Sequence, residues 1–356
     1  MPSFPRQIAL INQKGGVGKT TTTANLAAAL ARAGRRVLLA DLDPQSHLTM
    51  HFGLDPAADG KPTIYNVLTE PEDYPLAAAV RETSVQNVRI IPATIDLAAA
   101  EVELVGVVGR EVLLRDALAS LRTDPTLAYD YLLIDCPPSL GLLTLNALSA
   151  ATEVLICLQP HFLALQGVGK LLETVNLVQQ RINPALTVSG VALCMYDLGT
   201  KLAGEVSEDL ANFLAQSRDR KTPWSSARIF ETLIRRNIKL AECPSFGQVV
   251  FQYAPGSHGA EDYASLADEV MAMEEGPPAL AASGADSSEP AQPAAADVSQ
   301  NGKPAGEPDE APQTNQAPMD ATEIREKGEH VEQMETTALP RPGAEPVAPA
   351  AESPAV

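Results

Sequence analysis

Cysteine is scarce in this sequence, and no cysteine lies in a pattern that binds metal or builds a disulfide framework. Cys136, Cys157, Cys194 and Cys243 are far apart, with no C-x-x-C pair and no histidine set at metal-ligand spacing. This usage argues against a zinc site and indicates buried, reduced thiols in a cytoplasmic protein.

Long hydrophobic runs and a leader segment are also missing. No uninterrupted apolar stretch approaches the roughly 20 residues that a membrane-spanning helix needs. Residues 1–6 lack the charged and apolar regions of a secretory signal peptide. We therefore expect a cytoplasmic protein with no membrane partner.

Aromatic side chains make up only 4% of the chain, and the C-terminal part has none. Residues 276–356 contain 13 prolines, 18 alanines and 14 acidic residues against four basic ones. Such a segment cannot bury enough apolar surface to offset its chain entropy. We predict an ordered domain over residues 1–275 and a disordered, acidic, Pro/Ala-rich tail over residues 276–356.

Positive charge is scarce as well, since 26 Lys and Arg residues face 45 Asp and Glu residues, for a net charge of −19. This balance argues against a generic nucleic-acid-binding protein. Residues 218–239 are an exception, with seven basic residues against two acidic ones. The segment is either a phosphate-contacting patch or a solvated basic face. Its basic residues are Arg218, Arg220, Lys221, Arg228, Arg235, Arg236 and Lys239.

The most informative feature present is a glycine-rich segment with two lysines. The residues K-G-G-V-G-K-T-T over Lys14–Thr21 follow the apolar run Ile8–Ile11 and precede a helical pattern. Backbone N–H groups in such a strand–loop–helix turn cradle phosphate oxygens. Lys19 would contact the β and γ phosphates, and the Thr20 hydroxyl would ligate Mg²⁺. The strict motif has glycine where this chain has Gln13, and the alternative is a lysine-rich surface turn.

Carboxylates follow two of the predicted strands. Val37–Ala40 is followed by D-L-D-P-Q, and Tyr131–Ile134 is followed by D-C-P-P. Ligands of doubly wound sheets bind at the carboxyl ends of the strands, so both clusters should face the phosphate loop. We predict that Asp135 holds Mg²⁺, that Asp43 contacts the metal and orients the attacking water, and that Asp41 supports the loop. Each could instead be a helix cap or a turn residue.

Short apolar runs alternate with helical patterns through the predicted domain. This alternation predicts an α/β fold, with a mostly parallel, doubly wound sheet and helices on both faces. Besides the runs already named, predicted strands are Val88–Ile91, Val154–Leu158 and Val188–Met195. Predicted helices are Thr20–Ala33, Arg110–Leu121, Leu140–Ala150, Leu163–Ile182, Ala203–Ala215 and Ala260–Met273.

Taken together, these motifs resemble the ParA/MinD deviant-Walker P-loop ATPases. The resemblance rests on K-G-G-V-G-K-T-T, D-L-D-P-Q, Y-D-Y-L-L-I-D-C-P-P and L-T-L-N-A-L. Q-P-H-F-L-A-L-Q-G from Gln159, M-Y-D from Met195 and N-I-K-L-A-E-C-P-S-F-G-Q from Asn237 are similar to the short chromosome-partitioning ParA branch. The similarity covers residues 6–273.

The resemblance implies an ATPase with ATP and Mg²⁺ as cofactors, acting as an ATP sandwich homodimer. Lys14 would reach the partner's nucleotide, Gly15 would stay small where two backbones approach, and Lys14, Lys19 and Asp43 would be catalytic. Thr20, Asp43 and Asp135 would hold the metal. Nucleotide contacts would come from Lys14, Gly15, Gly16, Val17, Gly18, Lys19, Thr20, Thr21, Asp135, Met195 and Pro244.

The resemblance further implies nonspecific DNA binding by the ATP dimer, stimulation of hydrolysis by a ParB-like partner, and association with the nucleoid. Arg236 is the residue most similar to the family's DNA contact, although the family usually has proline before its Arg-Asn pair and this chain reads Leu233-Ile234-Arg235-Arg236-Asn237. The other expected DNA contacts are Arg218, Arg220, Lys221, Arg235 and Lys239.

Three other functions remain open. MinD-like membrane positioning needs a basic amphipathic C-terminal helix, which the acidic tail does not provide. A ParA-like protein could position a protein cargo instead of DNA. A ligase or amidotransferase of the same fold would activate a small acid with ATP, and no motif here specifies its substrate.

Overall fold

Strand β1 (Arg6–Ile11) lies inside a sheet and is hydrogen-bonded in parallel to a neighbour on each side. The structure is a computed structural model that describes residues 5–122, 128–162 and 164–274, without the side chains of residues 121 and 122. The predicted tail and its boundary lie outside the described residues.

Eight strands in the described part of the chain form one sheet in the order β3-β4-β2-β5-β1-β6-β7-β8. All neighbours pair in parallel except β3 and β4, which are antiparallel. The mostly parallel sheet predicted from the sequence is therefore confirmed. The remaining strands are β2 (Val37–Asp41), β3 (Arg81–Glu82), β4 (Val88–Ile91), β5 (Tyr131–Asp135), β6 (Glu153–Leu158), β7 (Thr187–Tyr196) and β8 (Arg228–Arg235).

Helices cover both faces of the sheet, and the alternation of side chains along β1 shows why. Ile8 and Leu10 belong to one apolar core cluster, whereas Ala9 and Ile11 belong to the other. A parallel strand buried on both faces reads as a continuous apolar run, which is the pattern that predicted it. The helices are α1 (Lys19–Arg32), α2 (His47–His51), α3 (Pro56–Asp59), α4 (Ile64–Thr69), α5 (Leu76–Ala79), α6 (Leu97–Glu103), α7 (Leu113–Leu118), α8 (Leu142–Ala150), α9 (Ala164–Arg181), α10 (Lys201–Ala215), α11 (Ile238–Glu242), α12 (Val250–Tyr253) and α13 (His258–Ala272). Short 3₁₀ turns cover Leu104–Gly106, Ala119–Arg122 and Cys243–Phe246.

The helix predicted over Arg110–Leu121 is shorter in the structure, and a side-chain amide explains its late start. Asn146 Nδ2 donates to the Arg110 carbonyl at 2.7 Å, and Asn146 Oδ1 accepts from the Leu114 N–H at 3.0 Å. In a helix that began at Arg110, those two backbone groups would bond to each other. Because Asn146 occupies both of them, α7 begins only at Leu113.

Strand β8 was not predicted, and it changes how the basic segment is arranged. Lys221 lies near the amino ends of β7 and β8, where the Pro223 carbonyl accepts from the Val188 N–H at 2.7 Å. Arg236 follows the carboxyl end of β8. Eight strand residues span about 25 Å, so the basic residues before β8 and those after it do not form one patch.

Candidate nucleotide site

The loop between β1 and α1 has the backbone shape that a phosphate cradle requires. Gly16 and Gly18 have φ angles of +70° and +96°, a region that side-chain-bearing residues rarely adopt. Gly18 is also the cap residue of α1 and offers no side chain to the first helical turn. The N–H groups of that turn are therefore available to an anion at the positive end of the helix.

Behind the loop, Asp135 joins the ends of α1 and β5. Its Oδ2 accepts from the Thr20 hydroxyl at 2.7 Å, and its Oδ1 accepts from the Thr23 hydroxyl at 3.1 Å. Burial, then the adjacent Asp41 carboxylate, raises the pKa of Asp135, while Thr20 and Lys19 oppose the shift. A hydroxyl and a carboxylate in contact are the oxygen ligands that Mg²⁺ prefers, so the residues fit the ion.

Asp43 lies where β2 turns toward α2, and neighbouring groups fix its position. Its N–H donates to Asp41 Oδ1 at 3.1 Å, and its Oδ1 accepts from the Gln45 N–H at 3.0 Å. Asp41 Oδ2 in turn accepts from the Thr49 hydroxyl at 2.7 Å, which ties the loop to α2. Asp41 thus supports the loop, and Asp43 lines the main cavity with 8% of its surface exposed.

A cavity of about 940 Å³ opens beside the loop and is large enough for a nucleotide. Met195 and Pro244, two of the predicted nucleotide contacts, both line it. Met195 has a φ of +50°, which is uncommon for a residue with a side chain, and it lies where the β7–β8 register shifts. Irregular backbone at this point places Met195 in the cavity wall.

Lys14 does not line that cavity. Its Nζ lies 2.8 Å from Nε2 of His161 in the same chain, on the other side of the loop. Gly15 has open space around it, because an added Cβ would meet no atom within 4 Å. No described atom of this chain would clash with a Cβ at position 15. A steric requirement for glycine there would therefore have to be imposed by another molecule.

Comparison with known proteins agrees with this geometry. A family model described as an AAA domain matches residues 5–188. Sporulation initiation inhibitor protein Soj of Bacillus subtilis is 45% identical over 265 residues, covering 74% of this chain and 98% of the relative. Chromosome partitioning protein ParA of Myxococcus xanthus is 44% identical over 75% of this chain and 88% of the relative. The chain belongs to the ParA/Soj family.

A solved structure shows what a protein of this fold binds. Cobyrinic acid a,c-diamide synthase from Mycobacterium smegmatis, with bound ADP and magnesium, is 38% identical and superposes with a TM-score of 0.63. The match covers 76% of this chain and 96% of the other. Like its relatives, this ParA/Soj family member is an ATPase with ATP and Mg²⁺ as cofactors. None of the helices in the described residues is long and apolar enough to cross a bilayer.

The six residues predicted to contact DNA differ in their exposure and in their hydrogen-bond partners in this ParA/Soj structure. Arg235 is bound by Asp262, and Lys239 Nζ donates to Glu242 at 2.9 Å. Arg236 is exposed at the rim of the nucleotide cavity. The remaining three, Arg218, Arg220 and Lys221, are exposed and precede β8.

Three contributors to the site were not predicted. Thr23 shares Asp135 with Thr20, and its position one helical turn beyond Lys19 was an available signal. Neither His161 nor Asp262 was assigned a role from the sequence. The contacts of these two residues span 147 and 27 positions along the chain, so no local pattern could indicate them.

Proposed function

We propose that this ATPase is a dimerisation switch that binds DNA without sequence preference in its ATP state, for chromosome or plasmid partitioning. The position of Lys14 is the observation that carries the proposal. A lysine of the phosphate loop that points away from its own nucleotide cavity can serve a nucleotide in a second subunit. The open space at Gly15 is consistent with a partner backbone approaching there.

The DNA-contacting surface is proposed to centre on Arg236. Its N–H donates to the Tyr196 carbonyl at 3.2 Å, which places it directly beside the nucleotide cavity. Closure of two subunits around ATP can therefore change the surroundings of this exposed cation. Arg218, Arg220 and Lys221 lie at the other end of β8, so we assign them a lesser part in the same contact.

A ParB-like partner is proposed to stimulate hydrolysis. Among the described residues, the arginines that line the nucleotide cavity are Arg235 and Arg236, both on the Met195 side rather than beside Thr20 and Asp43. No arginine in the described site is thus placed to stabilise the transferring phosphate, and turnover should be slow in isolation. In the cell we expect a cytoplasmic, nucleoid-associated protein.

Retention of the Asp43→Ala variant on nonspecific duplex DNA tests the proposal. Loss of the Asp43 carboxylate should block water activation and leave the ATP-bound dimer trapped. Retention should require ATP, be absent with ADP or without nucleotide, and weaken at higher salt because phosphate contacts release counterions. ATP-dependent dimers that do not bind DNA at either low or high salt would contradict the DNA-binding part of the proposal.

Two alternatives keep separate tests. If the cargo is a protein assembly, this ATPase should still be retained on DNA. Cells that lack the ATPase should then show a dispersed assembly but normal DNA segregation. The likeness to a diamide synthase favours a ligase or amidotransferase as the second alternative. In that case ATP turnover should respond to a carboxylic acid and an amine donor rather than to DNA and a partner protein.

A further inference from the structure

The contact between Lys14 and His161 is built into both backbones. The Lys14 N–H donates to Asn12 Oδ1 at 2.9 Å, and Asn12 Nδ2 donates to the Cys157 carbonyl at 2.6 Å. The His161 carbonyl accepts from the Ala164 N–H at 2.8 Å, where α9 begins. The ends of two paired strands, β1 and β6, thus hold the lysine and the histidine facing each other.

The chemistry of the pair determines which form of the histidine makes this contact. A lysine ammonium has only donors, so Nε2 of His161 must accept at its 2.8 Å separation from Nζ. The ring is therefore neutral here, and burial followed by the Lys14 charge lowers the pKa of His161. A doubly protonated ring would offer no acceptor and would repel the ammonium.

The pair lies at a small cavity whose lining is known for the described residues. Lys14 and His161 line a small cavity of about 280 Å³, separate from the nucleotide cavity. They are the only titratable side chains among the described residues that line it. The others are Asn12, Gln13, Val17, Leu158, Ala164 and Gly167.

We propose that His161 is a positioning residue that holds the Lys14 ammonium against its own chain in the monomer and releases it when the ATP dimer forms. The second half of this statement rests on the proposed function. The contact stabilises the monomer, so breaking it adds to the free-energy cost that ATP-driven dimerisation must overcome. His161 therefore tunes the protein concentration at which the switch closes, without touching the nucleotide.

Release of Lys14 should also make dimerisation sensitive to pH. Once the ammonium has left, the pKa of His161 is no longer depressed by that charge and moves back toward its ordinary value of 6.5. The dimer then binds a proton more readily than the monomer, so falling pH favours the dimer. We expect dimerisation to strengthen as pH falls through about 6.5, the ordinary pKa toward which His161 returns.

Sedimentation velocity of the full chain with Mg²⁺ and ATP, over a range of protein concentrations at pH 6, 7 and 8, tests the proposal. His161→Leu removes the acceptor and should dimerise at a concentration about two- to fivefold lower at pH 8. His161→Gln keeps an acceptor that does not titrate, so it should match the wild type at pH 8 and lack the shift toward pH 6. Identical midpoints and pH dependence in all three proteins would overturn the proposal.

Acetylation of Lys14 by acetic anhydride in the nucleotide-free protein gives a readout that needs no dimer. With exposed Lys170 as the internal reference, His161→Leu should raise the relative labelling of Lys14 about two- to fivefold. Equal labelling in both proteins would overturn the proposal even if dimerisation is normal. A wild type that stays monomeric with ATP would refute the proposed dimer instead, and the labelling result would then decide the role of His161 alone.

Discussion

Arg235 is held by Asp262 through both its side chain and its backbone. Arg235 Nη2 donates to Asp262 Oδ1 at 2.5 Å, and the Arg235 N–H donates to Asp262 Oδ2 at 2.9 Å. Asp262 is only 5% exposed, so its carboxylate depends on this partner. Arg235 consequently fixes the end of β8 to α13, and the adjacent Arg236 is left facing solvent.

Two adjacent arginines should therefore fail in different ways when substituted. Arg236→Ala should reduce ATP-dependent DNA retention several-fold and lower the slope of log affinity against log salt by about 1, with an unchanged melting temperature. Arg235→Ala should lower the melting temperature, because it leaves Asp262 buried without its cation. Filter binding across a salt series and differential scanning calorimetry measure the two effects.

Arg218→Ala is the matched control for this pair. Arg218 is also exposed, but it precedes β8, whereas Arg236 follows the carboxyl end of that strand. It should change retention less than Arg236→Ala does. Equal losses for both variants would mean that the DNA contacts extend over both ends of the strand.

Asp135→Asn should separate nucleotide binding from catalysis. The amide keeps one oxygen, which can accept from only one of the Thr20 and Thr23 hydroxyls, and it loses the charge that a divalent cation needs. We expect hydrolysis to fall at least about 100-fold and ATP affinity to lose its dependence on Mg²⁺, while Lys19 retains binding of the nucleotide itself. Isothermal titration with and without Mg²⁺, together with phosphate release, checks both.

Thr23→Val is the corresponding control for that experiment. Thr23 bonds the other oxygen of Asp135 and is not proposed as a metal ligand, so its loss should leave the Mg²⁺ dependence in place. If Thr23→Val and Asp135→Asn were equally inactive, the effect would come from disturbed packing behind the loop and not from a lost cation ligand.

Site residues could be predicted from the sequence where they belong to a local pattern in the chain. Strands could be predicted where they are buried on both faces of the sheet. Lys19, Thr20 and Asp135 carry local signals, namely a glycine-rich turn and the end of an apolar run. Strand β8 has no such signal because it lies at the edge of the sheet, where only Phe230 and Ile234 of its eight residues are buried. Its charged positions were therefore interpreted as a surface segment.

The backbone at the end of α2, the helix that follows Asp43, lies very close to the backbone of the segment that carries Pro244. A Cβ added to Gly247 would lie 2.7 Å from the Cα of Gly53, and backbone cannot move aside as a side chain can. Gly247→Ala should destabilise the protein by about 1–3 kcal/mol and weaken ATP binding. Chemical denaturation and nucleotide titration measure these changes.

Gly60→Ala separates the close contact from the backbone strain. Gly60 has the same φ of +62° as Gly247, but a Cβ there would meet nothing within 4 Å. Its substitution should cost only the strain of that conformation, about 1 kcal/mol. Equal destabilisation by the two variants would show that the approach to Gly53 has no energetic importance.

His51 should make the stability of the folded domain depend on pH. The side chain is 1% exposed, with Nε2 lying 3.7 Å from the Cys243 sulfur, and burial lowers the pKa of His51 to about 4. In the unfolded chain the pKa of His51 has its ordinary value of 6.5. Between about pH 6.5 and about pH 4 the unfolded state therefore holds more protons than the folded state. The free energy of unfolding should therefore fall by about 3 kcal/mol as pH drops through this window.

His51→Gln removes the titrating group, so urea unfolding of the variant should lose this part of the pH dependence. Carboxylates contribute to the same pH range, and hence the decisive quantity is the difference between the variant and the wild type at each pH. His47→Gln serves as the control, because exposed His47 on the same helix should leave the difference near zero. A wild-type curve that His51→Gln does not alter would mean that His51 is protonated in the folded state, with water or a carboxylate reaching it through the nucleotide cavity that it lines.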